Sequence, residues 1–109
     1  MTKLGLLNTS IITEEGIFSL KTISLETAKE IVANNIGNLD SAIGHQSTAN
    51  IMSILLGVEI PVNRQQFSQK VGQNCLVFKL NGRPEEGKIL TIEEIKTIGF
   101  KFQLLSRLE

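Results

Sequence analysis

The chain predicts a mixed α+β fold, one domain over residues 1–109 with a β-sheet of about five strands flanked by helices. Three observations carry this. Short apolar runs of strand length sit among segments with helical spacing. The C-terminal segment alternates apolar and polar residues, and long connections separate the runs, which forces non-local pairing. A chain of 109 residues suits one domain with a real core, yet it is short enough to gain from dimerisation.

Leu4 to Leu7 is an apolar run that ends at Asn8-Thr9-Ser10, a buried strand followed by a turn. Ile17 to Ile23 reads as a second strand after the Glu14-Glu15-Gly16 turn. Ser24 is an N-cap, Leu25, Ala28, Ile31 and Val32 follow at helical spacing, and Asn34-Asn35 closes the segment. Ile36 to Ile43 reads equally as a loop or a short helix. From Gln46 to Leu56 the spacing is helical again, with Gly57 as the stop. Val58 to Val62 holds Pro61, which suits an edge or irregular strand, and the polar stretch Asn63 to Lys70 gives no assignment. Asn74 to Leu80 reads as a strand. Thr91-x-x-Glu94 is a capping box that starts a helix running to Ile98. Phe100, Phe102 and Leu104 alternate with Lys101 and Gln103, a last strand with one buried face.

Composition narrows the function. Hydrophobic residues make up 41% and charged residues 20%, a globular rather than disordered balance. Eleven basic residues balance eleven acidic ones, which argues against duplex DNA as a partner while leaving room for a local basic pocket. Cys75 is the lone cysteine, so no internal disulfide and no zinc cluster can form. Beside Leu76, Val77 and Phe78 it reads as a buried thiol in a reducing compartment. Met1-Thr2-Lys3-Leu4-Gly5 has no signal-peptide core, and no run approaches the roughly 18 apolar residues that span a bilayer, so the expectation is a cytoplasmic protein away from membranes. P-loop, GxGxxG, HExxH and EF-hand patterns are missing. With no Trp or Tyr, base stacking would fall to five Phe and the Arg planes.

Two segments carry chemistry. The one histidine, His45, lies in Ile43-Gly44-His45-Gln46-Ser47-Thr48 at the start of a helix. Histidine moves protons near neutral pH, and a helix start offers unpaired N–H groups and a field that favours an anion. Gly44 admits a ligand close to the backbone, and Ser47 and Thr48 add hydroxyls. Taken alone, Gly44 is a turn residue and His45 a surface or capping residue. The second segment is Arg83-Pro84-Glu85-Glu86-Gly87-Lys88 after the Asn81-Gly82 turn. Arg83 offers a planar, bidentate clamp for phosphate, and Glu86 is a candidate to hold Arg83 or His45 in position. Taken alone, these are solvated turn residues. A protein-built metal site is not expected from one His and one Cys.

Together, Ile-Gly-His-x-Ser-Thr at 43–48 and Arg-x-Glu-Glu-Gly-Lys-Ile-Leu at 83–90 resemble the viral anti-CRISPR ring nuclease family, first known as small archaeal-virus proteins and with bacterial and phage relatives. The resemblance runs from the strand ending in Leu7-Asn8 to the last strand. It implies a homodimer that degrades cyclic tetra-adenylate, the second messenger of type III CRISPR systems, without a metal or other cofactor. It places the family's catalytic histidine on His45, its assisting arginine on Arg83 and its assisting glutamate on Glu86. Asn8, Thr9 and Ser10 fall where the family contacts ligand, and Gly44, Gln46, Ser47 and Thr48 line the phosphate cradle. Thr9-Ser10-Ile11 stands where some members have a small residue followed by an aromatic, and Pro84 where others have an aliphatic residue.

The implied reaction suits these residues. A ribose 2′-OH attacks the adjacent phosphate and expels the 5′-oxygen, leaving a 2′,3′-cyclic phosphate. The protein aligns the attack, stabilises the phosphorane and protonates the leaving oxygen. His45 is then the general acid, Arg83 and the helix-start amides stabilise charge, and Glu86 either orients Arg83 or supports the imidazolium. Three other readings stand beside this one: a non-catalytic binder of a cyclic nucleotide or other small anion, a dimeric DNA-binding regulator, and an interaction module in which His45 and Arg83 lie far apart.

Overall fold

The computed structural model describes residues 3–82 and 90–109. All four residues of β1 (Leu4–Leu7) are buried, which requires neighbours on both edges and cover on both faces. The neighbours are β3 (Leu39–Ser41) on one side and β4 (Asn74–Leu80) on the other, both parallel to it. β5 (Phe100–Arg107) pairs antiparallel with β4, and β2 (Phe18–Ile23) antiparallel with β5. Among the described residues the sheet therefore has five strands in the order β2-β5-β4-β1-β3.

Among the described residues, three helices cover one face. α1 (Leu25–Ala33) starts where Ser24 Oγ accepts from Thr27 N at 3.1 Å. α2 (Gln46–Leu56) stops at Gly57, whose φ of 74° is the left-handed region glycine enters without strain. α3 (Ile92–Ile98) carries the reciprocal capping box of Thr91 and Glu94. Ala28, Val32, Ala49, Met52 and Ile95 pack from these helices onto Leu6, Leu76, Phe78 and Phe102 of the sheet. Phe78 and Phe102 face each other across β4 and β5 with ring centroids 5.1 Å apart, and Phe100 extends the cluster.

The opposite face carries a second, smaller core of Leu7, Ala42, Phe67, Cys75, Val77 and Leu105, with Ile11 and Phe18 packed against it. Its cover is irregular chain rather than helix. This corrects the expectation of one buried face on β5: Phe102 and Leu105 are buried on opposite faces, and Gln103 is buried as well. Cys75 is fully buried there, and burial pushes its thiol up to about 12, so it is a packing residue rather than a nucleophile.

Two other expectations change. Ile36–Ile43 is not a helix, and its loop is interrupted by β3; three residues are too few for a periodic signal, and the strand exists only through its register with β1. Val58–Val62 is not a strand. It opens an irregular strap along the free edge of β3, where Pro61 has no N–H to give a ladder. Side chains make most of the bonds instead: Ser41 Oγ donates to Pro61 O, Asn63 Nδ2 to Ser41 O and Gln65 Nε2 to Ser41 O, and one backbone bond runs from Asn63 N to Ile43 O. The sheet edge is thus blunted without a sixth strand.

The strap ends on Phe67, which lies over Gly5 of β1. A Cβ at Gly5 would come within 2.6 Å of Cys75 Sγ and 2.8 Å of the Phe67 ring. Gly5→Ala is therefore expected to destabilise the fold by about 1–3 kcal/mol through overpacking, read as a lower urea midpoint. An unchanged midpoint would show that the strap gives way freely.

Candidate functional site

Parallel strands release the chain at the same end of a sheet, and that end is where ligands meet open α/β sheets. Leu6 pairs with Ser41, and Ala42 N donates to Leu6 O at 2.9 Å, so β1 and β3 finish side by side. The chain leaves β1 as Asn8-Thr9-Ser10 and leaves β3 as Ala42-Ile43-Gly44 into His45. Two segments thirty-five residues apart, counted from Ser10 to His45, therefore meet at one sheet end. β4 continues three residues past Val77, the partner of Leu7, and delivers Asn81-Gly82 at the same end. Arg83 and Glu86, with Pro84, Glu85, Gly87 and Lys88 of the same motif, lie outside the described residues.

His45 is the N-cap of α2, with extended φ and ψ of −126° and 129°, and its side chain makes no capping bond. The first intrahelical bond is Ala49 N to His45 O at 3.1 Å. The N–H groups of Gln46, Ser47 and Thr48 precede that bond and have no partner within the helix. A histidine is a poor cap, so this position leaves both the imidazole and the first-turn amides open. His45 and Gln46 are exposed, while Gly44, Ser47 and Thr48 are half-buried. Gln46 Nε2 donates to Asn50 Oδ1 at 2.8 Å along the helix.

Arg64 joins this cluster from the strap. Its Nη2 donates to Gly44 O at 3.4 Å, and a Cβ on Gly44 would touch its Nε at 3.6 Å. A cation thus lies over the turn that enters α2, where an anion would sit. No motif marks it: Arg64 falls in the polar stretch without an assignment, and the strap's bonds to β3 bring it here.

The Asn8–Ser10 loop is held at both ends. Asn8 and Ser10 are half-buried and Thr9 exposed, and Ser10 Oγ is buried without a hydrogen-bond partner among the described residues. Ile11 packs onto the second core. At the far end Glu14 Oε1 accepts from Ser68 Oγ and from Arg107 Nη1, while Arg107 also donates to Gln69 O and Glu15 O and lies 5.6 Å from the Phe18 ring centroid. The Ser68 hydroxyl foremost, then the Arg107 guanidinium, hold the Glu14 carboxyl below its ordinary 4.5.

A groove lined by Gln46, Asn50, Ile54 and Val62 runs beside α2 and meets this site at Gln46 alone. Among the described residues no three His, Cys, Asp or Glu side chains cluster as a metal site would require, and no helix is long and apolar enough to cross a membrane.

A family model described as STIV B116-like matches residues 4–102. The uncharacterised protein ORF117 of Acidianus two-tailed virus is 37% identical over 110 residues, covering 97% of this chain and 94% of its own. The uncharacterised protein YddF of Bacillus subtilis strain 168 is 32% identical over 107 residues, covering 98% and 99%. In three dimensions the chain is similar to B116 of Sulfolobus turreted icosahedral virus, with a TM-score of 0.85 at 26% identity over 95% of this chain and 98% of that one.

Two outcomes follow from the local geometry. His45→Asp supplies the missing cap and a charge that suits the helix start, so it should stabilise the fold by about 1 kcal/mol in urea denaturation. Loss of stability instead would mean that the imidazole is already a structural partner. The Glu14 clasp is intact above its ordinary 4.5 and is lost as pH falls through the lowered value. The protection of amides in residues 8–16, taken relative to their intrinsic exchange rates, should therefore fall in acid, and Glu14→Gln should remove that pH dependence.

Proposed function

Because this chain belongs to the STIV B116-like family, and because its Asn8–Ser10 loop and an uncapped helix start bearing His45 meet at one sheet end, we propose that it is a metal-independent ring nuclease that cuts cyclic tetra-adenylate into linear di-adenylate and so silences type III CRISPR signalling. The observation that carries the reading is His45 itself, the single histidine of the chain, exposed beside the open amides of α2. The similarity of the sequence motifs to the viral anti-CRISPR ring nucleases supplies the ligand and the reaction. Relatives in an archaeal virus and in a bacterium suit a protein that acts on bacterial and archaeal defence.

The division of labour is physical. The first-turn amides of α2 and Arg64 draw in a phosphate. A 2′-OH of the ring attacks that phosphate in line and gives its own proton to solvent water, the bond to the 5′-oxygen breaks, and a 2′,3′-cyclic phosphate remains. Protonated His45 gives its proton to the departing 5′-oxygen. Arg83 stabilises the phosphorane, and Glu86 orients Arg83 or supports the imidazolium, roles that rest on the motif resemblance. The RNA carries its own nucleophile, so the reaction calls on no metal-bound water.

A homodimer completes the reading. A two-fold axis gives two copies of each site, and a four-fold pseudosymmetric ring contains that two-fold. Two His45 side chains then face opposite phosphates, and two cuts yield two linear di-adenylates.

Radiolabelled cyclic tetra-adenylate incubated with the protein in EDTA should be converted to linear di-adenylate. His45→Ala should lose at least about a hundredfold in rate, the scale of one general acid, while still binding the ring. A cleavage rate unchanged by His45→Ala would sink the mechanism. Tight binding without turnover by the wild type would replace the nuclease with a sequestering protein.

A further inference from the structure

The pairing of β4 with β5 contains a local conflict. Lys79 lies directly opposite Lys101 in the antiparallel register. Like charges so placed repel and destabilise a sheet. Both are on the face away from the helices: Cys75 and Val77 precede Lys79 on that face, and Leu105 shares it with Lys101. Lys79 is half-buried and Lys101 exposed, and the ion pair found among the described residues, Arg107 with Glu14, involves neither.

The location gives the conflict a use. Leu7 pairs with Val77, so the chain leaves β1 beside the part of β4 that carries Lys79. The two lysines therefore stand at the sheet end that also bears the Asn8–Ser10 loop and the start of α2, but on the other face. Repelling cations placed opposite one another break the local rules for a stable sheet, and such breaks mark places shaped for a ligand.

We propose that Lys79 and Lys101 form a second anion subsite, which binds a phosphate of the ring other than the one at His45. The proposal rests on the ring-nuclease reading. A ring held at one phosphate per protomer is free to rock about that contact, and a second pair of cations fixes its orientation so that the scissile phosphate meets the helix start in line. Lys79 and Lys101 are thus positioning residues.

The test uses the His45→Ala protein as background, so that cyclic tetra-adenylate stays intact during the measurement. Lys79→Gln with Lys101→Gln removes the repulsion and should raise the melting temperature of the free protein by about 1–5 °C. The same change should weaken ring binding on the order of tenfold and flatten its salt dependence. Lys79→Arg with Lys101→Arg keeps the charge and should retain affinity. A raised melting temperature with unchanged affinity and salt dependence would overturn the subsite and leave two solvated lysines. Weaker binding in the Arg pair as large as in the Gln pair would also overturn it. If the His45→Ala background binds no ring while wild type neither binds nor cleaves it, the ring-nuclease reading fails and takes the subsite with it.

Discussion

Burial of β1 on both faces organises the molecule. Leu6 and Leu7 are fully buried, Leu6 in the helix-covered core and Leu7 in the core beneath the strap. A strand in that position needs parallel or antiparallel partners on both edges, and both of its partners here are parallel. Parallel pairing has a geometric consequence: the three carboxyl ends emerge at one edge, and each following segment starts there. The site is a product of this pairing. Neither Asn8–Ser10 nor Gly44–Thr48 has a motif that would bring it to the other, and the β1–β3 register does so.

The same burial explains how a small chain affords two cores. Helices cover one face in the ordinary way. The other face is closed by Phe67, a single aromatic at the end of a strap anchored by side-chain amides. Gly5 leaves the space for it, because a Cβ there would strike the ring and the Cys75 sulfur. The second face is therefore thin and close-fitting, and the loop that leads from β1 to β2 is pinned to the same strap through Glu14, Ser68 and Arg107.

Elements that announce themselves locally could be read from the sequence. Ser24, the Thr91–Glu94 box and Gly57 are signals whose physics lies within four residues, and each acts in the structure as its chemistry requires. β3, the strap and the second buried face could not be read in this way. Each depends on a partner more than a dozen residues distant: β3 on β1, Asn63 and Gln65 on Ser41, and Phe67 on Gly5. The site divides along the same line. His45 stood out through its rarity and its place at a helix start. Arg64 did not, since an arginine in a polar stretch has no local signature, and the buried Gln103 falls on the polar half of an alternation.

Zero net charge is compatible with the proposed capture of a compact polyanion, because charges are sorted by position rather than by number. Arg107 is spent on Glu14, far along the loop, and does not face the sheet end where β1 and β3 finish. Arg64 lies over the entry to α2, and the uncapped first turn adds partial positive charge from the backbone. The helix start gains this field by giving up a side-chain cap, and a capping Ser or Asp would occupy the same amides that an anion needs. Stability at residue 45 and anion capture at residue 45 therefore compete for one set of N–H groups. A histidine there leaves those groups without a side-chain cap, and on the proposed reading it sets a proton donor beside the amides that would hold the phosphate.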